Sequence, residues 1–143
     1  MRVSQKLDYA LHAMLELAIR ADRPESARTA EIARQQRIPE KFLEAIVVEL
    51  RRAGLIVSLR GPVGGHRLAR PAQEISIGDI WRAIEGSQPE QSGARTRNNK
   101  GADPFQDVWD EVDKATANVV DSITLAEMRK RCESRQSVPD FSI

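Results

Sequence analysis

A mainly helical fold carrying one small β-hairpin is predicted by three features of the chain. Apolar residues recur at threes and fours over a short and then a longer helical stretch between Thr29 and Gly54. An alternating stretch follows from Leu55 to Arg60. Gly61-Pro62-Val63-Gly64-Gly65 then reverses the chain into His66-Arg67-Leu68. Helix, tight turn, longer helix and hairpin in that order make a winged helix-turn-helix, the architecture expected here together with a long C-terminal helix.

The longer helix is predicted to begin at Pro39 and to close at Gly54, because proline suits a first turn and glycine the position just past a last one. Phe42, Leu43, Ile46, Val47 and Leu50 form its expected buried stripe. At 100° per residue the opposite pole carries Lys41, Glu44 and Val48, flanked by Arg51 and Arg52. Such a face offers a base-edge acceptor, an apolar contact and cations for phosphates. It also matches an ordinary solvated helix face, so its neighbours decide the reading.

On one side, Thr29 is placed to cap a short helix through Arg37, with Ile32 and Ala33 facing inward and almost no residues left for the connection. On the other, Leu55, Val57 and Leu59 are expected on the inward face of a strand, alternating with Ile56, Ser58 and Arg60. Arg60, His66 and Arg67 would stand on or beside the hairpin tip, where arginine is well placed to enter a minor groove. A phosphate-cradling glycine loop is excluded, since no helix and no lysine follow the glycines directly.

The first helix begins after Ser4, carries Leu7, Leu11, Met14, Leu15 and Ala18, and ends at Asp22-Arg23-Pro24. Asp8 and His12 lie one turn apart, a spacing that suits two metal ligands, but without a third ligand such pairs are more often structural. After the hairpin, Ser76-Ile77-Gly78-Asp79 reads as a capped start for a helix bearing Ile77, Ile80, Trp81 and Ile84 and stopping at Gly86. Residues 87–103 are polar, hold no aliphatic side chain larger than alanine, and are expected to form a flexible loop.

Asp103-Pro104 opens a long helix in which Phe105, Val108, Trp109, Val112, Ala115, Val119 and Ile123 repeat at threes and fours. A stripe sustained so long either folds across the module or pairs with its copy in a second subunit, and the pairing is favoured because operators are commonly read by two-fold dimers. Thr124 is placed to cap a shorter helix through Glu133, with a polar tail over 134–143 that docks weakly through Val138, Pro139 and Phe141. The expected organisation is thus a DNA-binding module over 1–86, a loop over 87–103, dimerisation helices over 104–133, and the tail.

Charge narrows the function. The 143 residues carry a net charge of only +1, but residues 1–70 hold 13 Lys and Arg against 8 Asp and Glu, while residues 71–143 hold 9 against 13. A basic module on an acidic remainder suits a reader of nucleic acid. No signal core or membrane-spanning run is evident, so a soluble cytoplasmic protein is expected. Two distant histidines and one cysteine, with no nucleophile-base spacing, argue against an enzyme. The competing reading is a winged-helix module that binds another protein and no DNA.

The chain resembles the bacterial winged-helix regulators that include the iron-sulfur regulator IscR, the nitric-oxide sensor NsrR and the cysteine-metabolism repressor CymR. The matching stretches are Asp8-Tyr9-Ala10-Leu11, Glu31-Ile32-Ala33, Leu43-Glu44, Leu50-Arg51-Arg52-Ala53-Gly54-Leu55, Arg60 through Ala69, Ile84-Glu85-Gly86 and Asp121 through Ala126. The resemblance implies a homodimer crossing through the long helix, one helix of each module in a major groove and one wing in a minor groove. By position, Glu44 matches the family's base-reading glutamate and Arg60 its wing arginine, while Lys41 and Phe42 match the helix start that touches phosphates and bases. Val63 stands where glycine is frequent and His66 where tyrosine is.

The DNA-binding set read from pattern and resemblance is Thr29, Pro39, Glu40, Lys41, Phe42, Glu44, Arg51, Arg52, Arg60, Gly61, Pro62, Gly64, Gly65, His66 and Arg67. The dimer set is Phe105, Val108, Trp109, Val112, Val119 and Ile123. Cluster-binding relatives hold iron and sulfur with three cysteines in the loop that corresponds to 87–103. That stretch has none here, and Cys132, the sole cysteine, lies in the last helix. The chain therefore resembles the cluster-free branch, with no cofactor expected. Its signal stays open between a small metabolite, a protein partner and oxidation of Cys132.

Overall fold

A computed structural model describes residues 3–62, 64–86 and 103–137. The loop expected over 87–103 and the docking of Val138 to Phe141 therefore lie almost wholly outside the described residues. The element order is α1 (Gln5–Ile19), α2 (Thr29–Gln36), α3 (Glu40–Arg52), β1 (Ile56–Leu59), β2 (Gly65–Leu68), a 3-10 turn (Ala72–Glu74), α4 (Ile77–Glu85), α5 (Phe105–Ser122) and α6 (Leu125–Ser137). This is a winged helix-turn-helix with two further helices after α4.

Local chemistry sets the boundaries. Ser4 caps α1 by accepting the Leu7 N–H. Pro39 is the N-cap of α3 rather than its first helical residue. Gly54 takes φ +76°, which lets the Leu55 N–H reach the Leu50 carbonyl at 3.0 Å and the Gly54 N–H reach that of Arg51 at 3.0 Å. This double closure, sealed by the buried Leu50 and Leu55 side chains, turns the chain sharply from α3 into the hairpin. Ser76 and Asp79 form a complete capping box on α4. The Thr124 hydroxyl accepts from Glu127 N–H, so α6 starts where the sequence predicts, but it continues to Ser137 rather than Glu133 and takes in the first residues of the expected tail.

The core gathers Leu7, Met14, Leu43, Ile46, Leu50 and Ile80 from α1, α3 and α4, all essentially inaccessible. A polar brace sits beside it. Glu16, itself buried, accepts from Arg20 at 2.5 Å and from Gln36 at 2.9 Å, and Arg20 also meets Glu31 at 3.0 Å. Every charge in this brace has a partner, as burial demands, and the Arg20 guanidinium is held further into its charged form by Glu16. It locks α2 against α1.

Three expectations need correcting. Phe42 does not belong to the buried stripe of α3: it is 60% exposed, with only a tilted ring contact to Tyr9 at 6.3 Å. At 100° per residue it lies about 90° from the centre of the Leu43, Ile46, Val47 and Leu50 face, too far round to enter the core. The wing strand also faces the other way. Ile56 is buried while Val57 and Leu59 are 46% and 52% exposed, because Leu55 is consumed in closing α3 and the strand's alternation starts one residue later. Lastly, Thr29 makes no cap; it is the first residue of α2, and the N-cap position belongs to Arg28.

The C-terminal helices part company. An antiparallel bridge between Ser76 and Thr124, with bonds from Ile77 N–H to Ile123 O and from Leu125 N–H to Ile75 O, fixes the α5–α6 junction at the start of α4. From there α6 folds back onto α1, where Arg129 donates to Ala18 O at 2.9 Å and pairs with Asp22 at 2.6 Å. Gly78 permits the close approach of α4 and α5, since a Cβ there would stand 1.8 Å from the Asp121 carboxylate that pairs with Arg82. Helix α5 is 18 residues long, about 27 Å, and Val120 is its single buried residue.

Candidate nucleic-acid interface

Helix α3 turns Lys41, Glu44, Arg51 and Arg52 to solvent, opposite its buried stripe, and Pro39, Glu40 and Phe42 extend that exposed surface at its N-terminal end. The face thus combines a carboxylate acceptor, an aromatic surface and cations at both ends of one exposed helix. The hairpin stands beside it. Its register pairs Ile56 with Leu68, Val57 with Arg67, Ser58 with His66 and Leu59 with Gly65, leaving Arg60 exposed at the tip with Gly61 and Pro62.

The glycines of the turn serve geometry. Gly61 adopts φ +104°, and the Gly64 N–H donates to its carbonyl at 2.9 Å. A Cβ on Gly64 would lie 2.3 Å from the Leu59 carbonyl oxygen, so the turn closes only with glycine there. Gly65 approaches the backbone of Ala27 as closely, its absent Cβ falling 2.7 Å from the Ala27 carbonyl oxygen. Val63 lies outside the described residues.

His66 joins the wing to the helix-turn-helix. Its backbone exchanges two hydrogen bonds with Ala27, and its ring meets the Ser58 hydroxyl through Nδ1 and the Thr29 hydroxyl through Nε2, each at 2.8 Å. Burial, together with the nearby Arg51 charge, lowers the His66 pKa below the ordinary histidine value. Thr29 and His66 are therefore engaged with each other. Arg67 is likewise tied inward, its guanidinium donating to the carbonyls of Arg23 and Pro24. Arg28, which the sequence reading passed over, donates to the Pro62 carbonyl and braces the tip from α2. No local pattern signals that contact, which spans 34 positions.

The expected dimer residues form an outward row. Phe105 is 64% and Val119 56% exposed, Val108 is exposed, and Trp109, Val112 and Ile123 are half-buried. Val120, absent from the expected set, is the residue that α5 buries in its own chain. Asp8 and His12 form a local pair: His12 Nδ1 donates to the Asp8 carbonyl at 2.8 Å and lies 3.4 Å from its carboxylate. Among the described residues, no three His, Cys, Asp or Glu side chains gather where one metal ion would be held. Cys132 is half-buried on α6. No helix among these residues is long and apolar enough to cross a membrane.

Comparison with known proteins agrees with this geometry. The family model Rrf2, described as an iron-dependent transcriptional regulator, matches residues 3–131. An Rrf2-like HTH-type transcriptional regulator of Rhodobacter capsulatus is 34% identical over 136 residues, covering 88% of this chain and 91% of its own length. Among solved structures, T. potens IscR superposes with a TM-score of 0.79 at 36% identity, covering 97% of this chain and 93% of its own. CymR, the global cysteine regulator of B. subtilis, gives 0.77 at 31% identity, covering 92% and 98%. The chain belongs to the Rrf2 family of winged-helix, DNA-binding transcriptional regulators, which are not enzymes.

Proposed function

We propose that the protein acts in the cytoplasm as a homodimeric repressor that reads a two-fold operator, α3 in the major groove and the wing in the minor groove of each half-site. The observation that carries this reading is the exposed face of α3, with Lys41, Glu44, Arg51 and Arg52, standing beside a wing whose tip offers Arg60. Phosphate contacts from the cations would set the register, and Glu44 and Phe42 would meet base edges. Footprinting on its own upstream region tests it. Two protected half-sites about one helical turn apart are expected; protection without two-fold symmetry would remove the dimer from the mechanism.

The dimer is supported by Phe105, Val108 and Val119, large apolar side chains exposed along one helix. The family's iron dependence is a separate matter. A cluster held by three thiolates does not fit a chain with one cysteine, and two subunits together would bring only two. The proposed regulator therefore works without a cluster. Protein purified without oxygen should be colourless, hold no stoichiometric iron and bind the operator equally with and without a chelator. Visible absorbance lost on His12→Ala, but kept on Cys132→Ala, would overturn this and make α1 the iron site.

A further inference from the structure

The wing is a short hairpin held to the rest of the chain at a few points. Its ladder is four pairs long, Val57 and Leu59 are 46% and 52% exposed, and a two-stranded hairpin alone is marginal in water. Its direction comes from its contacts with the rest of the chain, with Arg28 bracing the tip through the Pro62 carbonyl and the other ties lying at the base. Ile56 anchors β1 in the core, Arg67 ties β2 to the carbonyls of Arg23 and Pro24, and His66 is held through both its backbone and its ring. His66 exchanges backbone hydrogen bonds of 2.7 and 3.0 Å with Ala27, and its ring is held between the Ser58 and Thr29 hydroxyls.

We propose that His66 is the positioning residue for minor-groove reading: its imidazole clamps the hairpin to the start of α2 and so fixes where Arg60 stands relative to α3. This rests on the DNA-reading face proposed above. A neutral imidazole offers one N–H donor and one lone pair on different edges of a rigid ring, and the two hydroxyls rotate to complement either tautomer. Both bonds at 2.8 Å require Ser58 and Thr29 to stay on either side of that ring, so a tilt of the hairpin breaks one of them. Arg60 lies two residues beyond Ser58, so a tilt at the clamp displaces the arginine. Thr29 and His66 thus act through Arg60, and neither touches the operator.

The test is a double-mutant cycle on one operator, read alongside two footprints. His66→Ala should weaken binding about ten-fold in the wild-type background and less than about three-fold in an Arg60→Ala background. It should erase hydroxyl-radical protection of the minor groove under the wing and keep dimethyl sulfate protection of guanine N7 in the major groove. His66→Gln, whose amide oxygen and nitrogen reproduce an acceptor and a donor at similar spacing, should restore the minor-groove protection. Should His66→Ala fail to fold, the Thr29→Val/Ser58→Ala double variant removes both ring partners and is read in the same way. An equal loss in both Arg60 backgrounds, or intact minor-groove protection without the ring, overturns the clamp. If the wild-type protein protects no DNA at all, the reading face itself fails, and the clamp falls with it.

Discussion

Helices α3 and α5 carry the same kind of apolar repeat, yet they meet opposite fates. In α3 the Leu43, Ile46, Val47 and Leu50 stripe is buried against α1 and α4, and the charged face is left outside. In α5 Val120 alone is buried, and the Phe105, Val108 and Val119 row faces water. Periodicity at threes and fours records that a helix has an apolar face; it does not record whether the covering surface lies in the same chain. The stripe of α3 stabilises the fold, and the row of α5 is the surface proposed to meet a second copy.

Ile46→Ala should cost about 2–5 kcal/mol of folding stability, read as a lower denaturation midpoint, because the surrounding helices cannot close fully over the lost volume. Wild-type stability in that variant would mean that α3 is not the centre of the core. On the outer face of the same region, Arg60→Ala should weaken operator binding by about 1–3 kcal/mol without moving the unfolding midpoint. Unchanged affinity would remove the wing tip from recognition. Smaller again, Ser76→Ala breaks the capping box of α4 and should cost about 1 kcal/mol, checked by thermal unfolding.

The smallest expected effect is a pH dependence centred on His66. Its pKa in the folded protein lies below the ordinary 6.5. Above that pH both folded and unfolded states are neutral at this residue, and it adds no slope. As the pH falls below 6.5 the unfolded chain takes up the proton first, so stability declines until the folded-state pKa is reached. His66→Gln should flatten that part of the stability curve relative to wild type. Superimposable curves between pH 7 and 5 would show that His66 does not set the slope.

Features governed by neighbouring residues were legible in the sequence. Ser4, Gly54, the Ser76 and Asp79 box and Thr124 mark element ends through contacts within a few positions, and all appear as predicted. What escaped depends on phase or on distance. Phe42 sits at the margin of a stripe, where one residue's rotation separates core from solvent. The strand face depends on whether the alternation starts at Leu55 or Ile56, and the closure of α3 decides it. The His66–Thr29 bond spans 37 positions and the docking of Arg129 on Ala18 spans 111, and no local pattern encodes either.

We propose that α5 keeps its apolar row for a second copy of the chain. Sedimentation at micromolar concentration tests it directly, with wild type beside Val108→Glu. Wild type should sediment at twice the 16.0 kDa chain mass. The variant should sediment as a folded single chain, because each seam would have to bury an unpaired carboxylate. A wild-type protein that sediments as one chain, or a Val108→Glu variant that stays paired, would contradict it.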